Sequence, residues 1–143
     1  MKHRRSAREL VLKMLYACEI GETAGWELQL QESAGRDKCP QEAQDYARKL
    51  GRKTIENQRE IDEVLQKHTD NWELKRLCAI DRNILRMAVC ELLFFQEVPF
   101  RVVIDEAVEI AKRFGTGDSG KFVNGVIDSI YRSREMTPTS PSH

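Results

Sequence analysis

The residues GTGDSGKF, Gly115 to Phe122, read G-x-x-x-x-G-K. That is the spacing of the loop that cradles nucleotide phosphates on backbone amides, short of its final Ser or Thr. In such a loop a strand leads in, and the hydroxyl after the Lys holds magnesium. Here the preceding VVIDEAVEIAKRF keeps helical spacing, and Phe122 stands where the hydroxyl belongs. A phosphate loop also needs a parallel sheet built from several βαβ units, and the pattern offers none. The expectation is a joint between two helices. Gly115 terminates the first, and Asp118 or Ser119 caps the second.

Other reactive residue types point nowhere in particular. Cys18, Cys39, Cys78 and Cys90 show no C-x-x-C pair, and His3, His68 and His143 are not grouped near them. No metal site and no cofactor is expected from such spacing, and free thiols in a reducing cytosol fit it better. Asp105, Glu106 and Glu109 read as the solvated side of an amphipathic helix rather than a converging catalytic pair. No Ser-His-Asp or Cys-His order stands out, so no enzyme is expected.

The N-terminus is different. Residues 1–13 carry Lys2, Arg4, Arg5, Arg8 and Lys13 against one acid, Glu9. Arg4 and Arg8 lie one helical turn apart and share a face. Such a cluster attracts phosphate backbones through Coulomb attraction and counterion release; the plainer reading is a solvated helix end. Cations at a helix N-terminus oppose the helix dipole, a mild penalty that hints at a use. Tyr16, two turns after Arg8, either offers a face for base stacking or lies half-buried at the core margin.

These residues need elements to position them. The chain of 143 residues is 41% apolar and 32% charged, with 23 basic and 23 acidic residues, so it reads as a soluble globular protein and net charge selects no partner. No export signal is expected at the start, because Lys13 interrupts the apolar run and Tyr16 is bulky where cleavage sites want a small residue. No run approaches the ~20 apolar residues of a membrane helix, and a cytoplasmic protein is expected. Glycine is absent from Arg52 through Phe114 and only Pro99 interrupts that span, which favours long helices.

Apolar spacing predicts a helix over about 4–20, a short one over 26–32 and a polar loop SAGRDKC. Pro40 suits the first turn of a third helix, which reaches about His68 with a break near Asn57. A helix apolar nearly all round, 77–95, belongs at the centre of a bundle. Two amphipathic helices follow, on either side of the glycine joint. The expected fold is all-α with about seven helices in residues 1–135, then a frayed tail over 136–143.

Three segments together resemble the NusB family of transcription antitermination factors: RRSARELVLKMLYACE, IDRNILRMAVCELLFFQEVPFRVVIDEAVEIAKRFG and DSGKFVNGVIDSIY. The likeness spans nearly the whole chain and is weakest over 21–70. It implies two packed three-helix-type bundles, about 1–70 and 71–135. It implies binding to boxA, a single-stranded segment of nascent RNA, together with ribosomal protein S10. The pair would join the RNA polymerase antitermination complex, promote read-through of ribosomal RNA operons, and perform no chemistry.

Lys2, Arg4, Arg5 and Arg8 match the family's arginine-rich RNA-binding start, and Tyr16 an aromatic position near it. Asp118, Lys121, Phe122 and Asn124 match its C-terminal RNA-facing motif. Asp81 matches an acidic position on the S10-facing side. Two departures are visible: Ser6 interrupts the arginine run, and Lys75 stands where acids are common. Phe122 shares the stripe of Val126 and Ile130, so it is a stacking face or a core residue. Asn124 pairs with a base edge or pins its own turn. Two rivals stand beside this reading. One is a self-associating helical scaffold, a homodimer that hides the RNA face. The other is a stand-alone relative of the RNA-binding module of RNA cytosine methyltransferases, whose glycine-rich methyl-donor domain is not expected in this chain.

Overall fold

The computed structural model describes the backbone of residues 2–21, 25–69 and 73–136, and side chains over the same ranges except Lys2 and 134–136. Among these residues there are seven α-helices and no strand: α1 Lys2–Glu19, α2 Trp26–Asp37, α3 Gln41–Glu56, α4 Gln58–Lys67, α5 Ala79–Phe94, α6 Phe100–Phe114 and α7 Ser119–Met136, with a 3-10 turn at Leu74–Arg76 before α5. The all-α expectation holds. The tail beyond Met136 lies outside the described residues.

The helix boundaries follow local chemistry. Pro40 and Pro99 both sit at N-cap positions in extended conformation, one residue earlier than the first-turn placement expected for Pro40. Asn57 falls between α3 and α4, and its side-chain amide donates to the Lys53 carbonyl at 2.9 Å. One boundary differs from the sequence reading. Most of the expected loop SAGRDKC is helical, because α2 runs on to Asp37. Ser33 and Ala34 are buried, and that burial outweighs the polar composition around them. Lys38 then turns left-handed (φ 53°), and the Cys39 amide donates back to the Ala34 carbonyl at 3.1 Å.

One continuous apolar core fills the molecule. α5 lies at its centre and packs on α1, α3, α4, α6 and α7. Ile84, Leu85, Met87, Ala88, Val89 and Cys90 are buried there. Each large side chain so buried stabilises the fold by roughly 1.5–3 kcal/mol. α1 contributes Ala7, Leu10, Val11, Met14 and Leu15 from one face, which turns its opposite face outward.

Candidate nucleic-acid interface

Long charged side chains bridge the outward face of α1 to α6. Arg5 forms a two-pronged bond with Glu106, at 2.8 and 2.6 Å. One turn on, Arg113 donates to Glu9 at 3.2 Å. α1 and α6 therefore run in the same direction here. Lys13 brings its ammonium 5.9 Å from the Phe114 ring at the end of α6. Arg5, Glu9, Lys13 and Tyr16 follow spacings of four, four and three residues, a single stripe about 17 Å long. The end of this stripe points toward the glycine joint that opens α7.

The joint has a defined build. A Cβ on Gly115 would stand 2.6 Å from the Ser119 Cβ and 2.8 Å from the Ala111 carbonyl oxygen, so the close approach requires glycine. Ser119 is buried, and its hydroxyl accepts the Thr116 amide at 2.9 Å. Asp118 offers the first carbonyl of the helix, taking the Phe122 amide at 3.1 Å. This helix–turn–helix replaces the nucleotide cradle that the spacing imitates.

The nominated residues fall into distinct environments. Arg4 places its guanidinium 4.0 Å above the Tyr46 ring and has no carboxylate partner among the described residues. Arg5 is half-exposed but already satisfied by Glu106, whose carboxyl it holds below the ordinary value; the hydrogen bond is the leading cause. Tyr16 is 39% exposed. Asp118, Lys121 and Asn124 are exposed, and Lys121 and Asn124 have no polar side-chain partner among the described residues. Asn124 thus does not pin its own turn. Phe122 is half-buried against the core with part of its ring outside. Lys2 opens α1, but its side chain lies outside the described residues.

Arg8 departs from the expectation of a phosphate contact. It is 2% exposed, and its guanidinium donates to both carboxylate oxygens of Glu91 at 2.9–3.0 Å. The Tyr46 hydroxyl donates to the same carboxylate at 2.5 Å. Burial, then the adjacent Glu91 charge, pushes the Tyr46 phenol far above its usual range. Glu106 stands 3.7 Å from Arg8 as well. Buried charge demands such pairing. Arg8 therefore locks α1, α3 and α5 together beneath Arg4 and Arg5, and positions them.

Glu91 and Tyr46 are the residues that sequence reasoning missed here, and Glu106, expected on a solvated face, is instead only 20% exposed and paired with Arg5. A signal existed for the first: Glu91 is the one acid between Ile84 and Phe95, in the apolar centre of α5. Asp81 sits in the first turn of α5, where the helix dipole favours an acid. Its Oδ1 is buried and has no hydrogen-bond partner among the described residues. Beside it, the Arg82 guanidinium donates to the carbonyls of Leu74 and Lys75 at 3.3 Å and of Leu77 at 2.5 Å, and pairs with Glu19. Arg86 joins Glu19 to Asp62. This charged cluster borders a cleft of about 580 Å³.

The described residues thus define a class of protein: an all-helical bundle with an ion-paired, aromatic-bearing seam on one side and a charged cleft beside α5. The NusB family model matches residues 5–132, and the chain belongs to the NusB family. The transcription antitermination protein NusB of Salinibacter ruber is 51% identical over 91% of this chain and 81% of its own length. The solved structure of T. maritima NusB superposes with a TM-score of 0.83 at 42% identity, covering 90% of each chain. A chain in a crystal structure of antitermination factors NusB and NusE in complex with dsRNA superposes at 0.85 with 29% identity, covering 93% of this chain and 98% of that one. No helix among the described residues is long and apolar enough to cross a membrane.

Proposed function

We propose that this protein is an RNA-binding transcription antitermination factor that holds a single-stranded boxA element along the α1–α6 seam and the start of α7. The observation that carries this reading is the pair of cations without carboxylate partners, Arg4 and Lys121, on the elements that also bear exposed Tyr16 and half-exposed Phe122. Single-stranded RNA is held by backbone charge and by bases stacked on aromatic faces. Arg4 and Lys121 take phosphates, and Arg5 takes one in exchange for Glu106. Tyr16 and Phe122 offer stacking faces. Asn124 presents a donor and an acceptor to a base edge, while Asp118 sets the entry of α7.

Ribosomal protein S10 is the second partner in this reading. Asp81, partly exposed in the first turn of α5, offers its carboxylate to S10 beside the cleft organised by Arg82 and Arg86. The pair acts in the cytoplasm within the RNA polymerase antitermination complex to promote read-through of ribosomal RNA operons, and the protein performs no chemistry itself.

Three phosphate contacts give a slope of log K against log salt of about −2, from −0.7 each. Arg4→Ala/Arg5→Ala should flatten it by about 1.4. An unchanged slope would refute the seam as the binding track. Titration of a boxA-like RNA with and without S10 tests the adaptor role, which falls if S10 leaves the affinity unchanged.

A further inference from the structure

We infer that the RNA track continues from Arg4 across the outward face of α3, where a second segment of the same single strand lies in the groove between α3 and the α5–α6 connection. This inference rests on the reading of the seam as an RNA site.

α3 buries Tyr46, Ala47, Leu50, Gly51 and Thr54. The residues between them, Arg48, Lys49, Arg52 and Lys53, are all exposed. Four cations within six positions share one side of the helix. Arg48 is paired locally with Asp45 at 2.5 Å, and among the described residues Arg52 has only a distant carboxylate, Glu27 at 3.8 Å. Lys49 and Lys53 have no carboxylate partner among the described residues. Two aromatic faces stand among these charges: the Lys53 ammonium lies 5.4 Å from the Phe94 ring, and the Arg52 guanidinium 5.8 Å from Trp26.

Phe94 and the four α3 cations, with two acids, Asp45 and Glu97, line an open groove of about 670 Å³. The groove is continuous with a smaller recess walled by His3, Arg4, Glu42 and Tyr46, since Lys49 and Asp45 border both. A strand leaving Arg4 thus reaches the α3 cations past Asp45, whose charge Arg48 neutralises. Unpaired ammonium groups beside accessible aromatic rings are the features that hold a single strand without reading its sequence. An acidic protein segment would exploit the charge but not the rings.

The test compares two single-stranded RNAs, one of about 8 nucleotides and one about twice as long. For the unaltered protein the longer RNA should bind more tightly, with a salt slope steeper by about 2, or 0.7 for each of Lys49, Arg52 and Lys53. In Lys49→Ala/Arg52→Ala/Lys53→Ala the two lengths should give one slope, with the short RNA bound as before. All three side chains are exposed, and circular dichroism checks that the variant folds. Lys49→Arg/Lys53→Arg should keep the length dependence.

Equal slopes for both lengths in the unaltered protein would overturn the inference. So would a length dependence that survives the triple substitution, or polyglutamate that displaces the long RNA as well as excess RNA does. The seam is tested separately, by Arg4→Ala/Arg5→Ala on the short RNA. If that substitution has no effect while the length dependence still vanishes in the α3 variant, the seam reading fails and the α3 surface stands.

Discussion

Removing the Arg8 guanidinium separates a structural cation from the binding cations around it. In Arg8→Ala the Glu91 carboxylate keeps its Tyr46 bond but loses three bonds from Arg8 in a site where it is 2% exposed. Breaking one partner of a buried pair costs about 3–5 kcal/mol, because the other charge is left uncompensated. That is a large share of the roughly 5–15 kcal/mol that holds a domain folded. With a urea dependence of about 2 kcal/mol per molar, the midpoint should fall by about 1.5–2.5 M. Replacing the whole network, as Arg8→Met/Tyr46→Phe/Glu91→Leu, should recover most of this, since well-packed apolar groups often equal a buried ion pair. Urea titration by circular dichroism reads both values. Under native conditions Arg8→Ala should leave the salt slope of RNA binding unchanged. An unchanged urea midpoint together with a slope flattened by about 0.7 would refute the reasoning and make Arg8 a phosphate contact.

Three further outcomes follow from the same geometry. Arg5 holds the Glu106 carboxyl below its ordinary value of 4.5, so this pair stabilises the fold above that pH and the contribution disappears as pH falls through the depressed value. Glu106→Gln should remove this part of the acid sensitivity, and should tighten RNA binding because Arg5 no longer has to be exchanged; weaker binding would count against the exchange. Gly115→Ala should lower stability by roughly 1–3 kcal/mol in thermal or urea melts, since its Cβ would press on the Ala111 carbonyl and Ser119. Burial pushes the Cys90 thiol up to about 12, whereas Cys78 is exposed. A thiol reagent at neutral pH should label Cys78 early and Cys90 only on unfolding, as mass spectrometry of the peptides would show.

Most of the fold is legible in the chain because helix formation is a local matter. The apolar stripe of α1, the all-round apolar α5, the break at Asn57 and the glycine joint at 115–118 each depend on residues within a turn or two of one another. The basic start and the KFVNGV motif are legible for the same reason. The extension of α2 to Asp37 is not, since a polar stretch containing Gly35 joins the helix only once other elements cover Ser33 and Ala34.

The fates of the individual charges belong to the tertiary structure alone. Arg4, Arg5 and Arg8 are one residue type near one end of one helix, and nothing local names the partner of any of them. The partner of Arg5 is 101 positions away and that of Arg8 is 83 positions away. Only when α3 and α5 pack on α1 and Glu106 of α6 comes within reach does one arginine become a buried lock, one a half-exposed pair and one a cation with an aromatic floor. A charge acts according to its dielectric surroundings and its nearest counter-charge, and folding supplies both.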